Sequence, residues 1–480
     1  MANKYLTTTL PYVNADPHIG FGIEVLQADA FARYLRLQGT EVFFNTGTDE
    51  HGQKIAQKAD EKGEARQAYV DHFANEFKKL GVALDLSYDN FIRTTDGPHE
   101  AAAQELWRRC ATAGDIYKKT FSGLYCVGCE SFKTESELVE GKCPEHPTTP
   151  LQEISEENYF FRLSKYQEYL EEYLSHEGVI VPEWRRQEAL AFVRGGLEDF
   201  SISREKARLD WGVPVPGDEN QVMYVWFDAL TNYISTLGWP DDVEGKYQKF
   251  WIEGAPLQFA GKDQVRFQSV MWQAMLKSAG LPPTEQVFYH GFVTSGGQKM
   301  SKSIGNVISP YELIARYGTD ATRYLLLRHI HPYEDTDVTW ERLDEWYNAG
   351  LANGIGNLVS RVMKMAEDNL DEPVDIVDAP LEETFTAPLD AFRFSEAFDL
   401  IFDHIGKGDA YIQETQPFKM LKSEDLTLRA EGKAIIEQLV RHIYRIAEHL
   451  VPFMPQTAEK IKAAVRLNKK PDTLFARLDT

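Results

Sequence analysis

The alternation of strand-like and helix-like segments in the N-terminal part of the chain limits the fold more than any other feature. Residues 4–10 are rich in β-branched side chains and predict a buried strand. From Ile19 onwards, apolar side chains recur at three- and four-residue steps, which predicts a helix that ends near Gly39. Residues 41–45 predict the next strand, and a turn and another helix follow. Such strand–turn–helix–strand units are typical of a parallel sheet of the Rossmann type.

The remainder of the chain departs from this alternation twice. Residues 116–215 contain a Gly/Cys-rich loop, an acidic helix and a turn-rich stretch, which indicates an inserted domain. Strands are expected again at 223–226 and 287–292, with a helix through residue 274 between them. Towards the C-terminus only helical periodicity remains, and this indicates an all-α helix bundle. The helices expected there are 343–365, 389–411, 428–450 and 457–465.

The composition is that of a globular protein and excludes several classes of function. Of the 480 residues, 43% are apolar and 26% are charged, which argues against disordered, collagen-like and membrane-spanning chains. The N-terminal residues lack the basic and apolar regions of a secretion signal, so we expect a cytoplasmic protein. The net charge of −23 repels membranes and nucleic acids on average, so a polyanionic partner must meet locally basic patches.

The first motif that indicates chemistry is Pro17-His18-Ile19-Gly20, at the turn between the first predicted strand and helix. The N-terminus of a helix offers unpaired N–H groups that bind phosphate. Gly20 lacks a Cβ, so a flat purine could lie against the backbone, and His18 can donate a hydrogen bond to a phosphate oxygen. Taken alone, the motif fits an ordinary helix start equally well.

The second motif is the segment GQKMSKSIGN at residues 297–306, which contains Lys299, Ser301 and Lys302. The glycines before the lysines predict a mobile loop that could close on a triphosphate. Negative charge builds up on a leaving pyrophosphate, and a lysine ammonium group aimed at it stabilises the transition state. The alternative is a solvated basic loop without a ligand.

The third motif combines Cys126-x-x-Cys129 with Cys143-x-x-His146. Four cysteines in a chain of this length do not form a disulfide scaffold. Thiolate and imidazole groups at these spacings fit tetrahedral zinc, and four protein ligands leave no open position for catalysis. We therefore expect one structural zinc ion per chain. Reduced thiols that lie near one another by chance are the alternative.

The first two motifs are about 280 residues apart, and the sequence around them resembles the methionyl-tRNA synthetase family of class I aminoacyl-tRNA synthetases. The resemblance extends from about Tyr5 to the helical region near Met454. It is carried by the stretches TTTLPYVNADPHIG, FFNTGTDEHG, DNFIRTT, YCVGCE, ENYFFRLSKY, DFSISR, YVWFDALTNY, GKDQVRF and KMSKSIGN.

This resemblance implies a methionine–tRNA ligase, which activates L-methionine with ATP and transfers it to tRNA(Met) for translation initiation and elongation. It also implies an α/β Rossmann-type catalytic domain with an inserted zinc-knuckle domain, followed by an all-α helix-bundle anticodon-binding domain. The expected boundaries are 1–115 and 216–295 for the two catalytic halves, 116–215 for the inserted connective domain with its knuckle at 122–150, 296–345 for the lysine loop and stem-contact region, and 346–480 for the anticodon-binding domain.

The resemblance further implies a methionine pocket. In this family a Leu/Tyr pair before the first motif helps to enclose the methionine side chain, and the matching residues are Leu10 and Tyr12. Asp49 of GTDEHG would bind the substrate α-ammonium group, and Asp263 would bind the ribose hydroxyls or the amine network. The residues expected to line the thioether pocket are Val225, Trp226, Ala229 and Tyr233. Plain core packing is the alternative for each of these residues taken alone.

Two positions depart from the family's pattern. The second histidine of the first motif is Phe21 here, and a histidine near the methionine pocket is replaced by Gln268. Phenylalanine cannot donate a hydrogen bond to phosphate, and glutamine cannot carry charge. These departures motivate an alternative, a synthetase paralogue that adenylates an amino acid for an acceptor other than tRNA. A third interpretation is a catalytically retired tRNA-binding protein, against which Asp49 and the two lysines argue.

For the helical region, the resemblance implies anticodon binding by Asn357, Arg361 and Phe418. The first two are one helical turn apart and share a face, and an aromatic ring can stack on an unpaired base. A surface polar pair and a core phenylalanine are the alternative. The expected partners are tRNA(Met), L-methionine and ATP with Mg²⁺, without DNA or a membrane. We expect a monomer, because the sequence shows no dimerisation domain after the bundle.

Overall fold

The computed structural model describes residues 3–128, 131–133, 137–144, 146–300, 306–377 and 379–478. The chain divides into two compact units. The first comprises Met1–Pro17, Thr40–Gly81 and Tyr88–His290, and the second comprises His18–Gly39, Val82–Ser87 and Gly291–Thr480. In the part of the chain that is described, every helix is too short or too polar to span a lipid bilayer.

The secondary structure alternates between strands and helices up to residue 337 and is helical after that. The strands are β1 (Lys4–Thr8), β2 (Val42–Thr48), β3 (Asn90–Arg93), β4 (Ile116–Cys126), β5 (Ser131–Lys133), β6 (Gln152–Phe161), β7 (Ile180–Val181), β8 (Phe200–Ser201), β9 (Ser203–Glu205), β10 (Pro214–Val215), β11 (Asp218–Met223), β12 (Ala255–Gly261), β13 (Gln286–His290), β14 (Val293–Ser295), β15 (Gln298–Lys299) and β16 (Thr336–Asp337). The helices are α1 (Ile19–Leu37), α2 (Gln53–Lys62), α3 (Arg66–Ala83), α4 (Gly97–Thr112), α5 (Gln167–Ser175), α6 (Glu183–Arg194), α7 (Val225–Leu230), α8 (Asn232–Ser235), α9 (Trp272–Ser278), α10 (Pro310–Tyr317), α11 (Thr319–His329), α12 (Trp340–Trp346), α13 (Gly356–Asn369), α14 (Glu383–Asp390), α15 (Phe394–Thr415), α16 (Pro417–Met420), α17 (Leu426–Leu450) and α18 (Pro455–Arg466).

The first unit is built around a sheet that, within the described residues, has six strands in the order β3-β2-β1-β12-β13-β7. Every neighbouring pair in it is parallel. All residues of β2 and β12 are buried, as expected of strands that are covered on both faces. The strand order reverses at β1 and β12, where open parallel sheets bind ligands beyond the carboxyl ends of the strands. The prediction of a Rossmann-type α/β domain is therefore confirmed.

The insertion is small and antiparallel. Strand β4 pairs with β6 from Ile116↔Phe161 to Tyr125↔Gln152, and β5 and β8 extend this sheet at its two edges. Strands β10, β11 and β9 form a second antiparallel sheet. The prediction of an inserted domain that interrupts the parallel sheet is confirmed.

The second unit is mainly helical. It contains α1, the short sheet β15-β14-β16 and the helices from α10 onwards. The long helices α13, α15 and α17 each bury one apolar face, represented by Leu358, Ile401 and Ile443. The expected helices 428–450 and 457–465 correspond to α17 and α18. The prediction of an all-α C-terminal region is confirmed.

Two of the secondary-structure predictions are wrong. Residues 223–226 do not form a strand, because β11 ends at Met223 and α7 begins at Val225. The helix expected between there and residue 274 is interrupted by β12. Both segments are largely buried, with Val225 and Leu257 each at 2% exposure. A segment without a polar face shows no periodicity that could distinguish a strand from a helix.

Candidate active site

The first motif lies in the second unit and forms the start of α1. His18 is the N-cap residue, and its Nδ1 accepts a hydrogen bond of 3.0 Å from the Gly20 N–H group. Because Nδ1 is the acceptor, the neutral ring carries its proton on Nε2, where it can serve as a donor. A Cβ at position 20 would lie 2.7 Å from Cε1 of His18. The glycine therefore makes room for the imidazole ring as well as exposing the backbone.

The second motif begins with a hairpin in the same unit. Gly296 and Gly297, at φ +63° and +74°, form the turn between β14 and β15. The Gly297 N–H group donates to Asp337 Oδ1 at 2.6 Å, and Asn306 Nδ2 donates to the Ser295 carbonyl oxygen at 3.2 Å. These bonds anchor both ends of the motif. Its centre lies outside the described residues, which include neither Ser301 nor Lys302 nor the side chain of Lys299.

The two motifs are in direct contact through their flanks. The N–H group of Ile19, which follows His18, donates to the carbonyl oxygen of Ile308 at 3.4 Å. Ile308 is buried and lies two residues after the end of the lysine motif. Segments far apart in sequence thus meet at the N-terminus of α1, where the helix dipole favours an anion.

In the first unit, the loop after β2 holds Asp49 beside the loop after β1. The Asp49 N–H group donates to the Pro11 carbonyl at 3.0 Å, and the Val13 N–H group donates to the Asp49 carbonyl at 3.2 Å. Tyr12 and Asp49 thereby form a parallel bridge, and Asp49 is 1% exposed. Leu10 belongs to the same loop and is half-buried. The structure therefore brings together three of the residues expected to contact methionine.

The neighbouring residue, Glu50, anchors this loop through hydrogen bonds of its side chain and its backbone. Its buried carboxylate accepts two hydrogen bonds from Arg93, at 2.7 and 2.8 Å, and one from Thr48 Oγ1 at 2.7 Å. Its N–H group donates to Thr94 Oγ1 at 2.9 Å, and its carbonyl accepts from Trp211 Nε1 at 2.7 Å. A buried carboxylate that is paired and fully hydrogen-bonded holds its backbone in one conformation.

Helices α7 and α8 carry the residues expected to form the thioether pocket. Val225, Ala229 and Tyr233 are between 2% and 6% exposed. Trp226 stacks on Phe267, with ring centroids 4.0 Å apart and planes at 16°. The Tyr233 hydroxyl accepts a 2.7 Å hydrogen bond from Nε2 of Gln268, the residue that departs from the family's pattern. The substitution therefore places an uncharged donor on a residue of the expected pocket.

Asp263 follows the carboxyl end of β12, the strand next to β1. It lies in a 3-10 turn, Lys262–Gln264, and is exposed. A Cβ on Gly261 would lie 2.7 Å from Oδ1 of Asp263, so this glycine makes room for the carboxylate. Asp263, Leu10 and Asp49 thus follow three neighbouring strands at their carboxyl ends, which is the edge where such sheets bind ligands.

A candidate metal site lies in the insertion. The ligand atoms of Cys126, Cys143 and His146 lie within 4.8 Å of one another, and Cys126 Sγ is 3.9 Å from His146 Nδ1. Gly128 lies against the imidazole ring, since a Cβ there would approach it to 2.4 Å. Two buried thiols and an imidazole are a donor set that suits zinc. The expected fourth ligand, Cys129, lies outside the described residues.

The residues expected to bind the anticodon lie on α13 and α16 of the second unit. Asn357 is exposed, and Arg361 Nη1 donates to Asp409 Oδ1 on α15 at 2.8 Å. Partial burial raises the pKa of Asp409, although Arg361 opposes this shift. Phe418 is 39% exposed on α16. An aromatic side chain with this exposure is available for stacking, unlike one in a core.

A buried network that could not be predicted from the sequence includes His51, two residues after Asp49. Asp228 accepts hydrogen bonds from His51 Nδ1 at 2.6 Å and from His99 Nε2 at 2.9 Å, and its side chain is 1% exposed. His99 Nδ1 lies 2.9 Å from Ser235 Oγ. His51 and Asp228 stand inside the motifs GTDEHG and YVWFDALTNY. The signal was therefore visible as residue types, but nothing in the sequence shows that the two motifs meet.

The comparisons with known proteins agree with this architecture. Residues 4–152 and 147–363 match the family described as tRNA synthetases class I (M). A methionine–tRNA ligase from Caldanaerobacter subterraneus subsp. tengcongensis is 41% identical over 471 residues, which cover 95% of this chain and 73% of that protein. One from Thermosynechococcus vestitus is 41% identical over 475 residues, covering 95% of this chain and 88% of that protein.

Solved structures give the same result. A Mycobacterium tuberculosis methionyl-tRNA synthetase in complex with methionyl-adenylate has a TM-score of 0.89 and 37% identity, and covers 100% of this chain and 99% of that chain. The apo form from the same organism has a TM-score of 0.84 and 34% identity, and covers 100% of this chain and 99% of that chain. The parallel sheet, the antiparallel insertion and the helical region thus define a class I aminoacyl-tRNA synthetase. Within this class the chain belongs to the methionyl-tRNA synthetase family, and its activity is that of a methionine–tRNA ligase.

Proposed function

We propose that the reaction proceeds in two steps at the N-terminus of α1. The methionine carboxylate attacks the α-phosphate of ATP, which gives methionyl-adenylate and pyrophosphate. The terminal ribose hydroxyl of tRNA(Met) then attacks the acyl carbon, and AMP leaves. The observation that carries the proposal is the hydrogen bond between Ile19 and Ile308, because it joins the first motif to the segment that follows the lysines.

In the activation step, the Nε2–H group of His18 donates a hydrogen bond to a phosphate oxygen of ATP. Gly20 leaves the backbone open to the nucleotide. Lys299 and Lys302 stabilise the negative charge on the departing pyrophosphate, and Ser301 adds a hydrogen-bond donor. The anchored ends of the loop at Gly297 and Asn306 support this role, because they limit the positions that the lysines can reach. Mg²⁺ enters with ATP as part of the substrate.

In methionine binding, Asp49 accepts the α-ammonium group, and Leu10 and Tyr12 cover the substrate. The thioether lies among Val225, Trp226, Ala229 and Tyr233. Asp263 binds the ribose hydroxyls or the amine. Aromatic and aliphatic walls select a polarisable, flexible thioether. The bond from Gln268 to Tyr233 supports this pocket, because an uncharged amide holds the tyrosine hydroxyl in place.

The zinc ion and the tRNA anticodon bind to different parts of the chain. Cys126, Cys143 and His146, together with Cys129, hold one zinc ion that closes the knuckle and supplies structural stability. In the helical domain, Asn357 and Arg361 hydrogen-bond to anticodon base edges, and Phe418 stacks on a base. Its exposed ring supports this role. We further propose a cytoplasmic monomer, in keeping with a substrate that serves translation.

The test of the activation step is methionine-dependent exchange of pyrophosphate into ATP. The wild-type protein is expected to catalyse it, and Lys302→Ala is expected to lower kcat by about a hundredfold or more with little change in the KM for methionine. Lys407→Ala is the control, because Lys407 is an exposed lysine already paired with Asp403. An equal loss in kcat and in methionine affinity would contradict the role at the leaving group.

The test of the transfer step is charging of tRNA(Met) with methionine. Exchange without charging would instead favour a paralogue with another acceptor. Arg361→Gln is expected to raise the KM for tRNA about tenfold or more while pyrophosphate exchange, which needs no tRNA, stays unchanged. Arg441→Gln, a helical arginine paired with Glu437, is the matched control.

A further inference from the structure

Three elements of the first unit meet at the Asp228 carboxylate. Its Oδ2 accepts from His51, in the loop that follows β2, and its Oδ1 accepts from His99 on α4. Ser235 on α8 lies at the far side of His99. Asp228 itself lies on α7, next to Ala229 and two positions after Trp226. The network therefore links the loop of Asp49 to the helices that carry the proposed thioether pocket.

The charges in this network support one another. Burial lowers the pKa of His51, but the Asp228 carboxylate outweighs this and raises it above its usual value. Burial raises the pKa of Asp228, but His51 and His99 outweigh this effect and hold the pKa well below its usual range. The other charged groups facing His51 are Glu50 and Glu100, and both favour its protonated form. The two groups thus favour the pairing of an imidazolium with a carboxylate.

Such a pair is held firmly because its members have no access to solvent. His51 is 4% exposed and His99 is 1% exposed, so separating either from Asp228 would leave a buried charge or donor without a partner. The Trp211 ring packs against His51 in a T-shaped arrangement, with ring centroids 5.6 Å apart. The distance between Asp49 and helix α7 is thereby fixed.

We propose that Asp228 is a positioning residue for methionine, which sets the α-ammonium site against the thioether site through His51 and His99. The proposal rests on the proposed roles of Asp49 and of the α7–α8 residues in methionine binding. Asp228 acts through its neighbours and does not touch the substrate. A shift of about 1 Å between two groups that bind the same substrate costs a large factor in rate or affinity. Because both groups joined by this network are proposed to bind methionine, the link affects methionine binding and not ATP binding.

The experiment is steady-state pyrophosphate exchange with Asp228→Asn. The KM for methionine is expected to rise about tenfold or more, while the KM for ATP stays within about twofold. Asp115→Asn is the control, because Asp115 is also a buried carboxylate, bonded to Lys165 and Tyr166 in the same unit. It is expected to lose stability without changing either KM. An equal rise in both KM values, or the same split in the control, overturns the proposal.

A pH profile separates positioning from folding. In the wild-type protein the KM for methionine is expected to rise as the pH passes upward through the raised pKa of His51, because the imidazolium–carboxylate pair is then lost. His51→Gln keeps a donor but does not titrate, so its profile is expected to be flat over that range. A parallel rise in the variant overturns the proposal.

Two further outcomes remain decisive. If Asp228→Asn does not fold, His99→Ala removes only one of the two bonds and is expected to give a smaller shift of the same kind, with the ATP KM unchanged. An unchanged methionine KM in that variant overturns the proposal. Wild-type protein without methionine-dependent exchange would refute the proposed function, whereas active wild-type protein without the split refutes only the role of Asp228.

Discussion

At the scale of single residues, Gly47 is a position where even a methyl group cannot be accommodated without a backbone shift. A Cβ on it would lie 1.9 Å from the carbonyl oxygen of Ile92, its partner on the adjacent strand β3. Gly47→Ala is expected to destabilise the protein by about 3 kcal/mol, since the backbone of one strand must move. Urea unfolding of the purified variant measures this directly.

The matched control for that variant is Gly406→Ala on helix α15. A Cβ there would meet nothing within 4 Å, and the helix interior favours alanine. This change is expected to stabilise the protein by about 0.4–1 kcal/mol. If both variants unfold at the wild-type urea concentration, the close contact between β2 and β3 does not exist in solution.

Single residues also show where sequence reasoning ends. Asp49 could be singled out from its motif, because a carboxylate suits an ammonium group. The tasks of Glu50 and His51 could not be inferred in the same way, since their partners Arg93 and Asp228 come from other parts of the chain. A motif indicates which residue types are present, whereas the contacts that hold them depend on tertiary structure.

At the scale of elements, Arg323 on α11 organises the second unit. Its guanidinium is fully buried and donates to the carbonyl oxygens of Phe453, Pro452 and Leu84 and to the Asp29 carboxylate on α1. Burial raises the pKa of Asp29, but Arg323 and Arg33 outweigh it and lower that pKa. These bonds hold four segments of the unit together.

Arg323→Met is therefore expected to cost about 3–5 kcal/mol, because it removes a buried charge that pairs with Asp29 and leaves several buried carbonyl oxygens without their donor. Arg328 is a less suitable control, as it contacts Phe402. Arg441→Met, on the exposed face of α17, is expected to change stability by less than about 0.5 kcal/mol. Chemical unfolding of both variants checks the contrast, and similar values for the two would refute the organising role.

The knuckle in the insertion provides a second test at this scale. Zinc analysis is expected to find about one metal ion per chain, and a chelator that removes it is expected to lower the melting temperature. Cys126→Ser is expected to lose the metal, because a serine hydroxyl is a poor ligand for zinc. Cys110→Ser is the control, since Cys110 is a buried thiol outside the cluster. A folded wild-type protein without metal would remove the assignment.

The helix predictions succeeded where polar and apolar side chains recur at helical spacing, whereas one fully buried strand was missed. Helix α17 was expected from its periodicity, and one of its faces is buried. Strand β12 was hidden, because all of its residues are buried and its pattern resembles a buried helix. The site edge beyond β12 was found only through the Gly-Lys-Asp motif that follows it.

At the scale of the whole molecule, stability is expected to fall as the pH drops below neutrality. Burial lowers the pKa of His449 from 6.5 to about 4, and the partial opposing effect of Glu382, 2.6 Å away, does not restore it. The unfolded chain therefore binds more protons than the folded one between these values. By linkage, stability is present above pH 6.5 and is lost as the pH falls towards 4. His329, whose pKa burial lowers to about 3, acts in the same direction.

The measurement is the urea midpoint at several pH values for the wild-type protein and for His449→Gln. Glutamine can still donate to Glu382 but does not titrate, so the variant is expected to lose less stability over the same interval. The neighbouring groups that could compete are His404, which also has a lowered pKa, and Arg445, which holds Glu382 ionised. Identical pH dependence in the two proteins would show that His449 is already protonated in the folded state. The expectation of a buried, neutral imidazole would then be wrong.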